Sequence, residues 1–167
     1  MLITGDCLEK LKDLESESVD LVYLDPPFFT QKKQQLANRK SQKEYSFDDT
    51  WPNLDSFLEY LEIRIVECKR VMKKRGSIFL HSDKSASHYL KIMMDRVFGK
   101  NNFRNEIIWT YKRWSNSKKG LLNSHQNILF YSKNPDFKFN TIYCDYSPTT
   151  NVDQILQERV RDFPNIG

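Results

Sequence analysis

The chain has 167 residues, with 26 Lys and Arg against 22 Asp and Glu, 39% hydrophobic and 13% aromatic content, which fits one globular domain with a modest core. No apolar run reaches the ~18 residues of a membrane span and the amino terminus lacks a signal-peptide pattern, so the expected setting is the cytoplasm, with no membrane partner. Three widely spaced cysteines, Cys7, Cys68 and Cys144, have no CxxC or Cys/His pairing, which argues against a disulfide framework and against any metal site.

Residues 2–4 read as a short strand, followed by a helix on which Leu8, Leu11 and Leu14 share a face. Asp6 stands at the N-cap of that helix with Glu9 three residues on, the capping-box spacing. Residues 19–24 have a buried-strand pattern that breaks abruptly into Asp25-Pro26-Pro27-Phe28. Pro26 and Pro27 have no N–H for a ladder and fix their own φ, so pairing must stop there. The strand thus delivers a carboxylate, free carbonyls and an aromatic ring to the carboxyl edge of a sheet, where open α/β folds bind ligands.

That quartet suits methyl transfer to the exocyclic amine of a nucleobase. The amine is a poor nucleophile because its lone pair is delocalised into the ring, so both N–H bonds must be held while the nitrogen becomes more tetrahedral. Asp25 can accept one hydrogen and the Pro26 carbonyl the other, on a backbone stiffened by Pro27. Phe28 would stack on a base flipped from the duplex. The help given is electrostatic positioning more than acid–base catalysis.

Residues 29–50 form the longest irregular stretch, expected as a mobile loop that orders on DNA. Residues 31–43 carry Lys32, Lys33, Arg39, Lys40 and Lys43 without an acid, and Lys112, Arg113, Lys118 and Lys119 surround Trp114. Basic residues interleaved with aromatics suit phosphates and splayed bases. Residues 54–74 read as a long helix, with Phe57, Leu58, Leu61, Ile65, Cys68 and Met72 on one face and Gly76 beyond its end. Residues 77–81 are the next strand, and a helix over 85–98 is expected to bury Tyr89, Ile92, Met93 and Val97 before Gly99. His81, Ser82 and Asp83 follow the strand end nearest Asp25, where they can face a cofactor or a flipped base. Beyond a turn at Asn134-Pro135-Asp136, residues 137–146 are aromatic-rich, and Val152, Ile155, Leu156 and Val160 hint at a last helix.

Several motifs in order carry a family resemblance: Ile3-Thr4-Gly5-Asp6-Cys7-Leu8, the Asp25 quartet, Gly76-Ser77-Ile78-Phe79-Leu80-His81-Ser82-Asp83, Ser87-His88-Tyr89-Leu90-Lys91, Phe103-Arg104-Asn105-Glu106-Ile107-Ile108-Trp109 and His125-Gln126-Asn127-Ile128-Leu129-Phe130-Tyr131-Ser132-Lys133. The chain resembles the amino-terminal part of a site-specific DNA amino-methyltransferase of the permuted (β) order, of the kind found in restriction-modification systems. The resemblance implies an α/β fold: a Rossmann-like methyltransferase sheet with helices on its faces, incomplete because the glycine-rich cofactor-binding strands are missing. It implies S-adenosylmethionine as cofactor, with Asp6 and the Cys7 backbone against its adenine and Asp25, His81 and Asp83 completing the wall. It implies double-stranded DNA as partner, with Lys32, Lys33, Lys112, Arg113 and His125 toward it. Residues 1–134 would be a partial catalytic domain and residues 135–167 an extension toward target recognition.

The family's glycine-rich FxGxG segment has no counterpart here, since Gly5, Gly76, Gly99, Gly120 and Gly167 are dispersed. The chain is therefore expected to act only with a complementary carboxyl-terminal half. Adenine N6 is the expected acceptor because Asp leads the motif, whereas Ser often leads it in enzymes acting on cytosine N4. The alternatives are cytosine-N4 transfer, an inactive or merely nucleic-acid-binding remnant, and transfer to RNA or a protein amide. Cytosine-C5 chemistry needs a Pro-Cys nucleophile, and Asp6, Glu67 and Tyr143 precede the three cysteines. No serine, histidine and acid assemble a hydrolase signature.

Overall fold

The computed structural model describes residues 2–37, 44–112 and 119–143. Helix α1 (Cys7–Lys12) leads to strand β1 (Val19–Leu24), a hairpin of β2 (Lys32–Ala37) and β3 (Glu44–Asp49), helix α2 (Leu54–Val71) and strand β4 (Met72–Ser82). Helix α3 (Ser87–Phe98), a 3₁₀ turn at Lys100–Asn102, and strands β5 (Phe103–Thr110) and β6 (His125–Ser132) follow. Four strands form a mixed sheet in the order β1-β4-β6-β5, with β1 and β4 parallel and β6 antiparallel to both its neighbours. β2 and β3 pair antiparallel in a separate sheet.

α2 forms because its apolar residues recur at helical spacing and the Asn53 side chain caps it, accepting from the Ser56 N–H at 2.8 Å. Phe57, Leu61, Ile65 and Cys68 of α2 meet Leu90, Met93, Met94 and Phe98 of α3 over Ile78, Leu80, Leu129 and Tyr131 of the sheet. Each such side chain contributes about 1.5–3 kcal/mol on burial. Both long helices lie on this one face. On the other, Phe79 stacks on Phe130 at 4.5 Å with Phe137 edge-on at 5.8 Å, while Leu21, Tyr23 and Trp109 are exposed. Phe137, within the expected extension over residues 135–167, thus packs against the sheet itself.

α1 lies along α2. Arg70 binds the Leu11 and Leu14 carbonyls at 2.8 and 3.0 Å, and Arg64 reaches Asp6 at 2.8 Å. Between β1 and β4 the register jumps from Val19↔Met72 to Leu21↔Ser77, so Asp20 alone faces Lys73, Lys74, Arg75 and Gly76. The bulged carbonyls are not orphaned. Lys133 N–H bonds Gly76 O at 2.9 Å, Asn134 Nδ2 bonds Lys74 O at 2.9 Å, and Lys138 N–H bonds Arg75 O at 3.0 Å.

Four sequence expectations are corrected. Residues 2–4 pair with no strand among the described residues, and Leu2 is 93% exposed; the segment has no neighbouring strand to complete. The helix over 54–74 ends at Val71, because Met72 satisfies both the helical spacing from Cys68 and the buried start of β4. α3 turns Leu90, Met93, Met94 and Phe98 inward and leaves Tyr89 and Ile92 exposed, since the sheet residues facing it select between two overlapping apolar stripes. Within residues 29–50, Lys32–Ala37 and Glu44–Asp49 are not irregular but pair antiparallel as β2 and β3; β2 reads Lys-Lys-Gln-Gln-Leu-Ala, which has no hydrophobic alternation. Cys144, the hinted helix over 152–160, Arg39, Lys40, Lys43, Trp114 and Lys118 lie outside the described residues.

A Cβ on Gly76 would sit 3.0 Å from Lys73 O, 3.1 Å from Asp20 O and 3.3 Å from Val19 O. All three contacts are backbone, so nothing flexible can yield. Gly76→Ala should destabilise the chain by about 1–3 kcal/mol in urea or thermal unfolding, the range of overpacking effects.

Candidate active site

The last pair of the β1–β4 ladder is Leu24↔Leu80, so the next residues, Asp25 and His81, emerge side by side at the carboxyl edge of the sheet. His81 Nδ1 lies 3.0 Å from Asp25 Oδ1. His81 Nε2 meets the Gln126 side-chain amide of β6 at 3.1 Å. Phe28 packs edge-on against the imidazole with centroids 5.1 Å apart, and Trp109 lies at 5.5 Å. The His81 side chain is only 7% exposed, whereas that of Asp25 is 64% exposed. One carboxylate oxygen is thereby fixed by a buried ring, and Oδ2 has no partner among the described residues. The Pro26 carbonyl accepts no backbone hydrogen bond among them either.

Beyond the prolines the backbone takes a left-handed turn, with φ of +62° at Phe29 and +56° at Gln31, positions unfavourable for side chains with a Cβ. The Asp49 carboxylate holds this turn. Oδ1 accepts from the Phe29 N–H at 3.1 Å and the Trp51 indole at 2.9 Å, and Oδ2 from the Thr30 N–H at 2.8 Å and hydroxyl at 2.6 Å. Burial alone would raise the Asp49 pKa, but the Thr30 hydroxyl and N–H, the Trp51 indole and the Phe29 N–H outweigh it and hold the carboxyl below the usual range. The stability it lends is present above the ordinary carboxylate pKa and lost only as pH falls through the lowered one.

Asp25, Phe28 and His81, expected near one another, do converge. Asp6 is elsewhere, at the N-terminus of α1: Oδ1 accepts from the Leu8 and Glu9 N–H groups and Oδ2 from Arg64. The Arg64 guanidinium, helped by those N–H groups, holds the Asp6 carboxyl below its usual range. The expected cap at Asp6 is present, but Glu9 bonds Lys12 in place of closing a capping box. Cys7 is exposed beside it. Asp83 turns the chain into α3, accepting from the Ser85 N–H at 2.7 Å.

Lys32 and Lys33 are exposed on β2. Lys112 and His125 are exposed where β5 ends and β6 begins, on the same carboxyl edge as Asp25 but three strand spacings (roughly 14 Å) and two strand spacings (roughly 10 Å) from it, respectively. Arg113 lies outside the described residues. Asp49, Thr30, Trp51 and Gln126 were not singled out from the sequence. An acid two residues before a tryptophan carries no signal until the hairpin brings it back to Thr30. Among the described residues no cluster of His, Cys, Asp or Glu could hold a metal, and no helix is long and apolar enough to cross a membrane.

Residues 19–163 match a family model described as DNA methylase, of the N6/N4 class. The chain is 30% identical over 165 residues to the type II methyltransferase M.HinfI of Haemophilus influenzae, covering 95% of this chain and 44% of that protein. Among solved structures, the cytosine-N4-specific PvuII DNA methyltransferase superposes with a TM-score of 0.54 at 20% identity, over 80% of this chain and 48% of its own. A DNA modification methylase of Thermus thermophilus complexed with S-adenosyl-L-methionine superposes with a TM-score of 0.53 at 16% identity, over 83% of this chain and 55% of its own. The sheet is thus of the α/β methyltransferase fold, and the chain spans about half the length of the proteins it matches. By its sequence the chain belongs to the N6/N4 DNA methylase family.

Proposed function

We propose that this chain carries the acceptor-holding edge of an S-adenosylmethionine-dependent DNA amino-methyltransferase of permuted motif order, with the N6 amine of adenine as methyl acceptor. The observation that carries this reading is the Asp25 carboxylate: Oδ1 lies 3.0 Å from buried His81 while the side chain is 64% exposed, and the Pro26 carbonyl follows it in the chain. Two acceptors on a stiff backbone can take the two N–H bonds of one amine, which favours a more tetrahedral nitrogen. The nitrogen gives up one proton on methylation, and Asp25 Oδ2 is the adjacent acceptor. Phe28 presents its ring where a flipped base would lie. Lys32, Lys33, Lys112, Arg113 and His125 supply charge and hydrogen bonds toward the duplex.

The cofactor supplies the electrophilic methyl group on a sulfonium. The residues present fit one side of it only. Asp6 and Asp83 already have their carboxylates engaged within the chain, and His81 is turned to Asp25, which leaves the open carboxylate of Asp25 and the exposed region around Cys7 as the wall on offer. A glycine-rich segment approaching that wall, from the same or another chain, would complete the site. Such a segment would also cover the apolar surface around Leu21 and Tyr23 and the open edge of β1.

Cytosine N4 is the second reading, favoured by the superposition on the PvuII enzyme. Nucleoside analysis of methylated duplex DNA separates N6-methyladenine from N4-methylcytosine. Finding the first supports the proposal, and finding the second replaces it.

Three outcomes are expected. Asp25→Ala in the completed enzyme should lower methyl transfer by about 10²–10³-fold, the usual loss for one preorganised electrostatic partner; Asp25 is exposed but its neighbour His81 is buried, so the unfolding free energy should fall by no more than about 1–3 kcal/mol, the range for a buried polar group left unpaired. Phe28→Tyr or Trp should retain activity, while Phe28→Ala should lose ~1–3 kcal/mol of base retention, visible as weaker 2-aminopurine fluorescence at the target position. Finally, calorimetry on the 167-residue chain should show no tight binding of S-adenosylmethionine until a segment carrying the glycine-rich motif is co-expressed. Micromolar binding and DNA methylation by the chain alone would contradict that last expectation.

A further inference from the structure

Asp49 is 1% exposed, and its carboxylate is met by neutral donors, with no cation paired to it among the described residues. Its own backbone carbonyl also accepts from the Gln31 N–H at 3.0 Å. Residues 29, 30 and 31, which directly follow the Asp25-Pro26-Pro27-Phe28 segment, are therefore all bonded to this single residue twenty positions away at the base of the hairpin. Trp51 closes the latch from the other side, with its backbone N–H bonded to Gln31 Oε1 at 2.8 Å.

The consequence shows in the rings. Phe28 and Phe29 are adjacent, yet Phe28 packs on His81 at 5.1 Å and Phe29 packs on Phe57 at 5.3 Å, in the core beneath the helices. The left-handed backbone at Phe29 lets neighbouring rings part in this way, and left-handed conformations persist in such residues only where the surroundings over-determine them. Apolar packing could seat Phe29, but it cannot satisfy the N–H groups of Phe29, Thr30 and Gln31 that the turn faces inward.

We propose that Asp49 is a positioning residue for the acceptor site: by latching residues 29–31 it sends Phe28 onto His81 and fixes the Pro26 carbonyl relative to Asp25. This rests on the reading of the site given above and deepens it. Asp49 touches no reacting atom. It makes the hairpin the element that sets the shape of the motif, so that a change at residues 32–49 would alter the acceptor site without any contact to it.

The test uses nuclear magnetic resonance on the full 167-residue chain, which needs neither cofactor nor DNA and so stands or falls apart from the methyl-transfer reading. In Asp49→Asn one acceptor oxygen becomes an NH₂ that opposes either the Thr30 or the Phe29 and Trp51 donors. The expected result is loss of amide-exchange protection at Phe29 and Thr30 together with loss of the Phe28–His81 cross-peaks, while α2 and α3 amides stay protected. Trp51→Phe and Thr30→Val each remove side-chain donors only and should give a partial form of the same change; they also decide the matter should Asp49→Asn fail to fold. In the completed enzyme Asp49→Asn should lower kcat tenfold or more, with KM for S-adenosylmethionine within twofold of the parent. Phe28–His81 cross-peaks that persist after Phe29 and Thr30 lose protection would overturn the proposal, whatever the activity.

Discussion

The geometry of the site depends on the register of β1 against β4. Parallel pairing runs Leu21↔Ser77 to Leu24↔Leu80, and one more step brings Asp25 beside His81. A slip of one residue would turn Val22 and Leu24 away from the core and carry Asp25 to the wrong face. The core resists such a slip because both residues pack against the cluster built on Ile78 and Leu80. At the other end the bulge around Gly76 absorbs the unequal lengths of the two strands and is held by Lys133, Asn134 and Lys138. The carboxylate is thus placed by apolar packing at one end of the ladder and by backbone hydrogen bonds at the other, neither of which touches it.

What could be read from the sequence follows from this division. α2 and α3 bury side chains at helical spacing, so their existence was legible, and so was the strand that ends in Asp25 and two prolines; the closing strands were legible only through the family resemblance, since β5 buries no side chain. Boundaries and faces were less so where one residue satisfies two patterns, as Met72 does, or where a helix has two apolar stripes, as α3 does with Tyr89 and Ile92 against Leu90 and Met94. The β2–β3 pair was hard to see because β2 is a polar run without alternation, and because Asp49, which anchors the pair, is buried only through contacts distant in sequence. In the site, Asp25, Phe28 and His81 were legible from the motif and strand ends. Gln126 and Asp49 were not, because their roles exist only through pairs distant in sequence.

A buried carboxylate is an unusual way to hold a loop. Its desolvation is unfavourable, and here four donors offset it without a counter-charge. The arrangement has a directional benefit that apolar packing lacks. Hydrogen bonds to successive N–H groups fix backbone torsions, whereas a hydrophobic contact fixes only the position of a side chain. On the reading proposed above, a segment that presents a carbonyl, as Pro26 would, is better served by the former.

Exposure remains the site's main physical constraint. An Asp25 carboxylate 64% open to water has its acceptor capacity filled by solvent, and the field it offers an amine is screened. On the reading proposed above, the same two acceptors would become far more effective once water is excluded, because no reorganisation would then be needed as charge develops on the nitrogen. The helices already seal one face of the sheet, and His81 is sealed from beneath by its neighbours. The uncovered surface is the side bearing Leu21, Tyr23 and Trp109, which is apolar and continuous with the rings around His81. A covering segment there and a flipped base against Phe28 would each remove water from Asp25. Cofactor-side closure and base capture would then strengthen one another through the dielectric around a single carboxylate.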